Sequence, residues 1–279
     1  MIKNDIQLLA LDLDGTVLRC DNTLAEEVKA SLIAAVNSGI EVVVASGRPF
    51  ASMPREIMAI EGIHYIVASN GAAIYDTSRR RVRSLTMRES DILRLLALTE
   101  THDLIWEAFC EGEICTDRRY FDDPVRYGCS AAYVDYVRAS RGCCDDMRGF
   151  IYHHRHELDS VEIVCADASV REPLRAELEA ALPGLYITSS SADFVEFMDS
   201  RATKSSAIQW ICQREGIDLL HTAACGNADN DADMLAQAGL GAAVQNASPL
   251  CREAADIILP SNDDHGVKTL IDRIIGNTA

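Results

Sequence analysis

The feature that most constrains the fold of this sequence is Asp12-Leu13-Asp14-Gly15-Thr16, which closes an apolar run from Ile6 to Leu13. The apolar run predicts a short buried strand, and the two carboxylates stand at its C-terminal end. In an open α/β sheet, ligands bind at that edge. Gly15 allows a sharp turn because glycine adopts positive φ without a steric penalty. The segment therefore predicts a sheet strand that brings two carboxylates to a binding site.

Two carboxylates so close in sequence have more than one interpretation. They resist double ionisation unless a cation is near, so they indicate either a divalent cation or an acid/base pair. Oxygen ligands favour a hard cation, above all Mg²⁺. The alternative is an ordinary polar turn after a strand, where Asp-Gly is common. The rest of the chain decides between these interpretations.

Two further apolar, β-branched runs follow at regular intervals. Ile40 to Ala45 and Tyr65 to Ala68 predict strands, and each ends in small or polar residues. Helical patterns separate the three strands, which predicts βαβ units on a parallel sheet. In such a sheet Asp12, Ser46 and Asn70 lie along one edge.

Several helices of this part of the chain have start signals. Thr23 and Glu26 have the spacing of a capping box and predict a helix start there. Pro49 suits the first turn of a helix running to about Ile60. Lys204 stands at the start of a predicted helix from Ala202 to Arg214.

The chain of 279 residues is long enough for two domains. From about residue 80 the pattern changes to a middle section rich in Gly, Asp and Arg, and near Phe194 to Met198 the first pattern resumes. We therefore predict a core made of residues 1–82 and 191–279. A separate α/β domain, residues 83–190, is inserted into it.

Composition excludes several classes of partner. The formal net charge of -17 repels nucleic acid and anionic membranes, so we expect neither as a partner. No apolar stretch is long enough to span a bilayer, and Lys3, Asp5 and Gln7 interrupt the position of a secretory signal. Zinc-finger and thioredoxin-like sites are not expected, because the cysteines include no Cys-x-x-Cys. We expect a cytoplasmic protein with reduced thiols. The cysteines are Cys20, Cys110, Cys115, Cys129, Cys143, Cys144, Cys165, Cys212, Cys225 and Cys251.

Three histidines, His153, His154 and His156, invite a metal interpretation. They are flanked by Arg155 and Glu157 and have neither a cysteine nearby in the sequence nor helical spacing. We therefore predict surface or strand residues here.

Four motifs in order resemble those of haloacid dehalogenase (HAD) superfamily phosphatases of the Cof-like group, subfamily IIB. The resemblance covers about residues 6–75 and 194–275 and includes the tail Ser261-Asn262-Asp263-Asp264-His265-Gly266-Val267. It implies an α/β fold, with a Rossmann-like parallel-sheet core and an inserted α/β (type 2) cap domain. The motifs are Asp12-Leu13-Asp14-Gly15-Thr16, Ser46-Gly47-Arg48, Lys204, and Gly226-x-x-x-Asn230-Asp231.

The resemblance also implies roles. Asp12 would be the nucleophile that forms an aspartyl-phosphate, Asp14 the general acid and base, and Lys204 the stabilising positive charge. The implied substrate and phosphate ligands are Gly15, Ser46, Gly47, Arg48, Asn70 and Asn230. The implied Mg²⁺ ligands are Asp12, Asp14 through its backbone carbonyl, Asn227, and Asp231 through water.

Asn227 departs from the family pattern, which has Asp at this position. An amide oxygen can still coordinate Mg²⁺, but the site loses one negative charge, so we predict weaker binding. Asp231 would then matter more, and Asp229 is a possible substitute ligand.

The function implied is a Mg²⁺-dependent phosphomonoester hydrolase for small phosphorylated metabolites such as sugar phosphates. The alternative is a catalytically weakened, phosphate-binding or regulatory protein, supported by Asn227. Nothing favours a phosphomutase. A dinucleotide-binding oxidoreductase is disfavoured because no Gly-x-Gly-x-x-Gly follows the first strand.

Overall fold

A computed structural model describes residues 5–191 and 193–276. Contacts within it group the described residues of 5–47, 53–82 and 203–276 into one compact unit, here called the core unit. Residues 48–52 and the described part of 83–202 form the second, here called the inserted unit. No helix in these described ranges combines the length and apolar character needed to cross a bilayer.

The strands of the described chain are short and are numbered in chain order. They are β1 Leu8–Leu11, β2 Glu41–Ala45, β3 Tyr65–Ala68, β4 Ala73–Asp76, β5 Arg81–Ser84, β6 Ile105–Cys110, β7 Glu113–Asp117, β8 Gly142–Cys144, β9 Leu158–Val164, β10 Leu185–Thr188, β11 Phe194–Asp199, β12 Thr222–Gly226, β13 Leu240–Val244 and β14 Ile257–Leu259.

The α-helices are numbered in the same way. They are α1 Glu26–Asn37, α2 Arg55–Met58, α3 Glu89–Leu98, α4 Arg118–Asp122, α5 Val134–Ser140, α6 Met147–His153, α7 Ala168–Ala181, α8 Lys204–Glu215, α9 Ala232–Gln237, α10 Pro249–Glu253 and α11 Gly266–Gly276.

One sheet of the described residues has the order β14-β13-β12-β1-β2-β3-β4-β5. Strand β1 pairs in parallel with β12 and β2, and β2 pairs in parallel with β3. Leu11 lies opposite Cys225 on one side and Val44 on the other, so the strand ends are level. The predicted parallel sheet is confirmed, and the residues that follow β1, β2 and β3 emerge at one edge.

The central strands are apolar because both faces of the sheet are covered. Leu8 and Val43 belong to a buried cluster with Ile208 of α8 and Met234 of α9. Leu9 points to the other face and is also fully buried. Strands buried on both faces lack polar alternation, which is why β1 and β2 are almost continuous apolar runs.

Two helix predictions are wrong, one in where the helix starts and one in its extent. Helix α1 begins at Glu26 with Ala25 as its N-cap, because the Thr23 hydroxyl donates to Asp21 in a local turn and does not cap the helix. The predicted helix from Pro49 to Ile60 is replaced by a 3₁₀ turn at Phe50–Ser52 and the short α2. Pro54 disfavours helical geometry in the residue before it.

The inserted unit has a second sheet, whose order within the described residues is β10-β11-β9-β6-β7-β8. Its pairings are antiparallel except between β7 and β8. The prediction that Phe194 to Met198 belongs to the core is wrong, because β11 pairs with β9 and β10 in this sheet. Val195 and Phe197 alternate into the buried apolar cluster of the inserted unit, which fixes the strand there.

The opposite face of this sheet carries a row of buried carboxylates. Glu107 lies opposite Glu162, which lies opposite Glu196, across β6, β9 and β11. All three are buried. The Nε atom of Arg141 donates to Glu107 Oε1 at 2.6 Å. The three buried carboxyl groups of this row therefore have one guanidinium, that of Arg141, hydrogen-bonded to Glu107.

Candidate active site

Strand β1 delivers Asp12 to the sheet edge. Asp12 is buried, and its N–H donates to the Cys225 carbonyl oxygen at 3.0 Å, which extends the β1–β12 ladder by one residue. The chain then makes a tight turn over Leu13–Val17, with Gly15 at φ +74°. A Cβ at Gly15 would lie 2.6 Å from Asn227 Nδ2, so both the conformation and the space require glycine.

Lys204 links Asp12 with Asp231. It is the first residue of α8 and is 1% exposed. Its Nζ donates to Asp12 Oδ1 at 2.6 Å and to Asp231 Oδ1 at 2.7 Å. A capping box between Thr203 and Ser206 fixes the helix start that positions this lysine.

The cluster of Asp12, Asp231 and Lys204 contains two carboxyl groups but only one ammonium group. Burial is the largest cause that raises the pKa of Asp12 to about 7; Asp231 adds to it and Lys204 opposes it. Burial alone would lower the pKa of Lys204, but Asp12 and Asp231 outweigh it and raise that pKa. The lysine is therefore an ammonium ion shared by two buried carboxyl groups. A buried, incompletely compensated negative charge favours a further cation nearby.

Asn227 faces the atoms from which such a cation would take its ligands. One of the two terminal atoms of its amide, here called the tip, faces these groups. It lies 2.9 Å from the Asp14 carbonyl oxygen and 3.0 Å from both Asp12 Oδ2 and Thr16 Oγ1. With nitrogen at the tip, the amide donates to these oxygens. With oxygen at the tip, Asn227 lies from both the Asp12 carboxylate and the Asp14 carbonyl at the spacing of adjacent ligands in a Mg²⁺ octahedron, roughly 2.9 Å for metal–oxygen distances of about 2.0–2.1 Å. The donor set therefore fits Mg²⁺.

Asp231 organises the loop that carries Asn227. Its Oδ2 accepts from the backbone N–H groups of Asn227 at 2.9 Å and Ala228 at 3.0 Å, while Oδ1 accepts from Lys204. Both oxygens thus have protein partners, which suits a ligand acting through water. Asp229 is held elsewhere, since its Oδ1 accepts from the Ser248 hydroxyl at 2.6 Å.

A second group of predicted residues comes together beside β2 and β3. Ser46 is buried, and its carbonyl accepts from the Asn70 N–H at 3.1 Å. Asn230 Nδ2 donates to Asn70 Oδ1 at 2.8 Å, and a Cβ at Gly47 would lie 3.3 Å from that same oxygen. Asn230 Oδ1 is buried and accepts no hydrogen bond within the described residues. Ser46, Gly47, Asn70 and Asn230 therefore form one polar cluster.

Arg48 has different neighbours. Its Nη1 donates to the Ser52 carbonyl oxygen at 3.1 Å, and its guanidinium lies 4.7 Å from the centre of the Tyr136 ring. Both partners belong to the inserted unit, with which Arg48 itself is grouped. The contacts of Arg48 thus differ from those of the polar cluster around Ser46.

Two asparagines without a predicted role, Asn246 and Asn262, hold the loop after Asp12 in place. Asn246 Nδ2 donates to the Gly15 carbonyl oxygen at 2.8 Å, and its Oδ1 accepts from the Asn262 N–H at 3.2 Å. Asn262 Nδ2 donates to the Leu18 carbonyl oxygen at 2.9 Å. The only sequence signal was the resemblance of the tail that contains Asn262, because contacts between segments more than two hundred residues apart leave no local pattern.

Gly71 likewise has no local sequence signal, because its neighbour Thr203 is distant in the sequence. Its φ is +101°, and a Cβ there would lie 2.2 Å from the carbonyl oxygen of Thr203, the N-cap of α8. The backbone at Gly71 therefore sets how closely the Lys204 helix approaches the β3 edge.

Taken together, the core unit places a buried carboxylate, a buried ammonium, an oxygen donor set for a hard cation and a polar amide cluster at one sheet edge. Such a site can bind an anionic group and attack it with the Asp12 carboxylate.

The chain is similar to known proteins in both sequence and fold. The chain matches the haloacid dehalogenase-like hydrolases over residues 9–271. A Bacillus subtilis (strain 168) phosphatase, YwpJ, is 27% identical, with 97% of this chain and 100% of that protein covered. A solved haloacid dehalogenase-like hydrolase from B. subtilis is 26% identical with a TM-score of 0.84, covering 96% of this chain and 100% of the other. A solved sugar phosphatase of HAD subclass IIB, 19% identical, shares the fold with a TM-score of 0.82, covering 97% and 99%.

Proposed function

The chain belongs to the haloacid dehalogenase-like hydrolase family, and we propose that it hydrolyses phosphomonoesters of small metabolites through an aspartyl-phosphate on Asp12, with Mg²⁺ as cofactor. The resemblance to this family is confirmed, and with it the α/β fold. The protein is an enzyme, and its family and named relatives support a phosphatase.

The observation that carries the proposal is the buried contact of Lys204 Nζ with Asp12 Oδ1 at 2.6 Å. A nucleophilic carboxylate must stay ionised although buried, and the ammonium supports that state. The same positive charge offsets the negative charge that a phosphoryl group brings into an acidic protein.

Two displacements at phosphorus make up the proposed reaction. In the first, an Asp12 oxygen bonds to phosphorus while the ester P–O bond breaks, and Asp14 gives its proton to the departing alkoxide. In the second, Asp14 takes a proton from water as the water oxygen bonds to phosphorus and the bond to Asp12 breaks. Asp14 suits both roles because it follows Asp12 by two residues and is only half-buried.

Binding of the phosphate is assigned to the polar groups around Asp12. We propose that Ser46, Asn230 and the backbone at Gly15 and Gly47 hold its oxygens, with Asn70 positioning Asn230. The buried, unsatisfied Asn230 Oδ1 supports this, since it could accept a hydrogen bond from a protonated phosphate oxygen or a substrate hydroxyl. For Arg48 the proposal keeps the substrate-binding role that the resemblance implies.

Mg²⁺ would be held by Asp12, the Asp14 carbonyl, Asn227 and, through water, Asp231. When bound it would neutralise phosphate charge and make phosphorus more electrophilic. Asn227 supplies a neutral ligand, so the proposed affinity is lower than with a third carboxylate.

Sugar phosphates and related small metabolites are the proposed substrates. A subclass IIB sugar phosphatase shares the fold, and the net charge of -17 disfavours polyanionic macromolecules. A phosphate-binding protein without turnover is not favoured, because Asp12, Asp14 and Lys204 are all present.

Hydrolysis of p-nitrophenyl phosphate across a Mg²⁺ titration tests the proposal. The wild type should turn over only with Mg²⁺, and Asp12→Asn should lose activity by a factor of about 10³ or more, since its amide is a poor nucleophile. Asp272→Asn, an exposed change on α11, is the matched control and should keep wild-type activity. Wild-type activity in Asp12→Asn would refute the mechanism.

A further inference from the structure

Three side chains of the inserted unit bring sulfur, nitrogen and oxygen ligand atoms together. Cys110 Sγ lies 3.8 Å from His154 Nδ1 and 3.7 Å from Glu157 Oε2, and these two atoms are 3.1 Å apart. Cys110 and His154 are half-buried and Glu157 is exposed, so solvent reaches the cluster. The proposed hydrolase chemistry does not use any of them.

The spacing of these atoms is that of ligands around a tetrahedral zinc ion. Zinc binds Cys sulfur at about 2.3 Å, His nitrogen at about 2.0–2.1 Å and carboxylate oxygen at about 2.0–2.2 Å. Ligand atoms at those distances on a tetrahedron are roughly 3.3–3.6 Å apart. The observed separations of 3.1 to 3.8 Å bracket these values, so small side-chain rotations suffice to bind a metal.

The backbone aims Cys110 at this point. The β6–β9 pairing is regular up to Phe109 opposite Ser160, then shifts so that Cys110 lies opposite Leu158. Such a bulge redirects the side chain that follows it. Glu111 and Gly112, with φ of +52° and +86°, then make the two-residue turn into β7 and fix the end of β6.

His154 and Glu157 are held by a separate turn between α6 and β9. The His154 ring stacks on Phe150 with ring centres 4.3 Å apart, and the Glu157 N–H donates to the His154 carbonyl oxygen at 2.8 Å. The residues between them point elsewhere, since Arg155 and His156 both contact Glu89. His154 and Glu157 therefore face Cys110, whereas Arg155 and His156 do not.

The surroundings of the cluster favour a cation. The carboxylates of Glu157, Asp159 and Glu111 act electrostatically on the Cys110 sulfur. Their negative field attracts a divalent metal, which compensates the charge of a thiolate ligand.

We propose that Cys110 Sγ, His154 Nδ1 and the Glu157 carboxylate bind one divalent transition metal of the zinc type, with a fourth position open to water. On binding, the Cys110 thiol releases its proton to solvent as the sulfur–metal bond forms. The site ties the β6–β7 turn to the α6–β9 turn, and it is independent of the hydrolase site.

Cobalt(II) provides the test, because a thiolate ligand gives a near-ultraviolet charge-transfer band that an all-oxygen site cannot give. Reduced, metal-free protein should develop this band with one equivalent of Co²⁺ under anaerobic conditions, and Zn²⁺ should displace it. Cys110→Ser should abolish the band, and His154→Gln should lower Co²⁺ affinity by about tenfold or more. Binding at the Asp12 site cannot mimic this signal.

Two variants serve as matched controls. Cys115→Ser alters a half-buried cysteine of the adjacent strand, and His153→Gln alters a histidine whose Nδ1 contacts the Gly149 carbonyl. Both should keep the band and the affinity. The proposal is overturned if the wild type gives no charge-transfer band, or if Cys115→Ser removes the band while Cys110→Ser and His154→Gln keep it.

Discussion

At the scale of single residues, the site depends on how two buried carboxylates, Asp12 and Asp231, share one positive charge. Lys204 neutralises part of the charge of Asp12 and Asp231, and the Asn227 amide occupies the remaining side of Asp12. A neutral amide serves both states of the site, because it can donate to Asp12 without a metal and coordinate through oxygen with one.

Asn227→Asp should therefore have opposite effects with and without Mg²⁺. Without metal, a third carboxylate beside Asp12 adds repulsion and should lower the free energy of unfolding by about 1 kcal/mol or more. With metal, the added charge should tighten Mg²⁺ binding by roughly tenfold. Denaturant unfolding and Mg²⁺-dependent turnover measure the two effects.

Asp229→Asn is the control for this comparison. Asp229 is bonded to Ser248, so removing its charge should leave Mg²⁺ affinity near the wild-type value. If Asn227→Asp left the affinity unchanged while Asp229→Asn weakened it, Asp229 would be the substitute ligand and the assignment of Asn227 would be wrong.

At the scale of elements, the approach of α8 to the β3 edge should be sensitive to a single methyl group. Gly71→Ala places a Cβ 2.2 Å from the Thr203 carbonyl at φ +101° and must displace the start of α8. Gly216→Ala also has positive φ, +70°, but meets nothing within 4 Å. We expect about 1 kcal/mol of destabilisation for Gly216→Ala and at least about 2 kcal/mol for Gly71→Ala, by denaturant unfolding.

Turnover separates the two glycines further. Gly71→Ala should lower kcat because it moves Lys204, whereas Gly216→Ala at the far end of α8 should not. Equal effects of the two changes on stability and on kcat would contradict this role of Gly71.

The buried glutamate row predicts a pH dependence of stability. Burial, followed by Glu107 and Glu196, raises the pKa of Glu162 well above its ordinary 4.5. The folded protein then keeps a proton that the unfolded chain releases, so stability should fall as pH rises from about 4.5 toward the folded pKa. Glu162→Gln should remove this component and be relatively more stable at neutral pH.

Denaturant unfolding between about pH 4.5 and 8 measures this dependence. Glu177→Gln, at an exposed position on α7, should follow the wild type. A Glu162→Gln profile parallel to that of the wild type would show that Glu162 is ionised in the folded state.

Elements differed in how well the sequence predicted them. The Asp12, Ser46 and Asn70 edge followed from apolar runs with polar ends, because parallel strands buried on both faces leave that pattern. The start of α1 and the sheet that contains β11 did not follow. Thr23 has a local partner in Asp21, and β11 takes its place by pairing with β9 and β10, which the apolar content of the segment does not reveal.

At the scale of the whole molecule, contacts between segments far apart in the sequence could not be predicted. The histidines at 153, 154 and 156 gave no metal pattern because Cys110 lies 44 residues before His154 and reaches it only through the β6–β9 pairing. The brace from Asn246 to Gly15 is of the same kind. The order of the four motifs nevertheless predicted the organisation of the core. Three of the motifs lie at the ends of strands of one sheet, and the fourth, Lys204, begins a helix.

Trapping of the phosphorylated enzyme tests the central claim most directly. The Asp14→Asn variant, in which hydrolysis of the acyl phosphate should be slow, is mixed with Mg²⁺ and acetyl phosphate, whose acetate leaving group needs no proton from Asp14. The mixture is quenched within a single turnover, digested and analysed by mass spectrometry. We expect one phosphoryl group, on Asp12, and none when Asp12→Asn is introduced as well. Phosphate on another residue, or turnover without any phosphorylated enzyme, would contradict it.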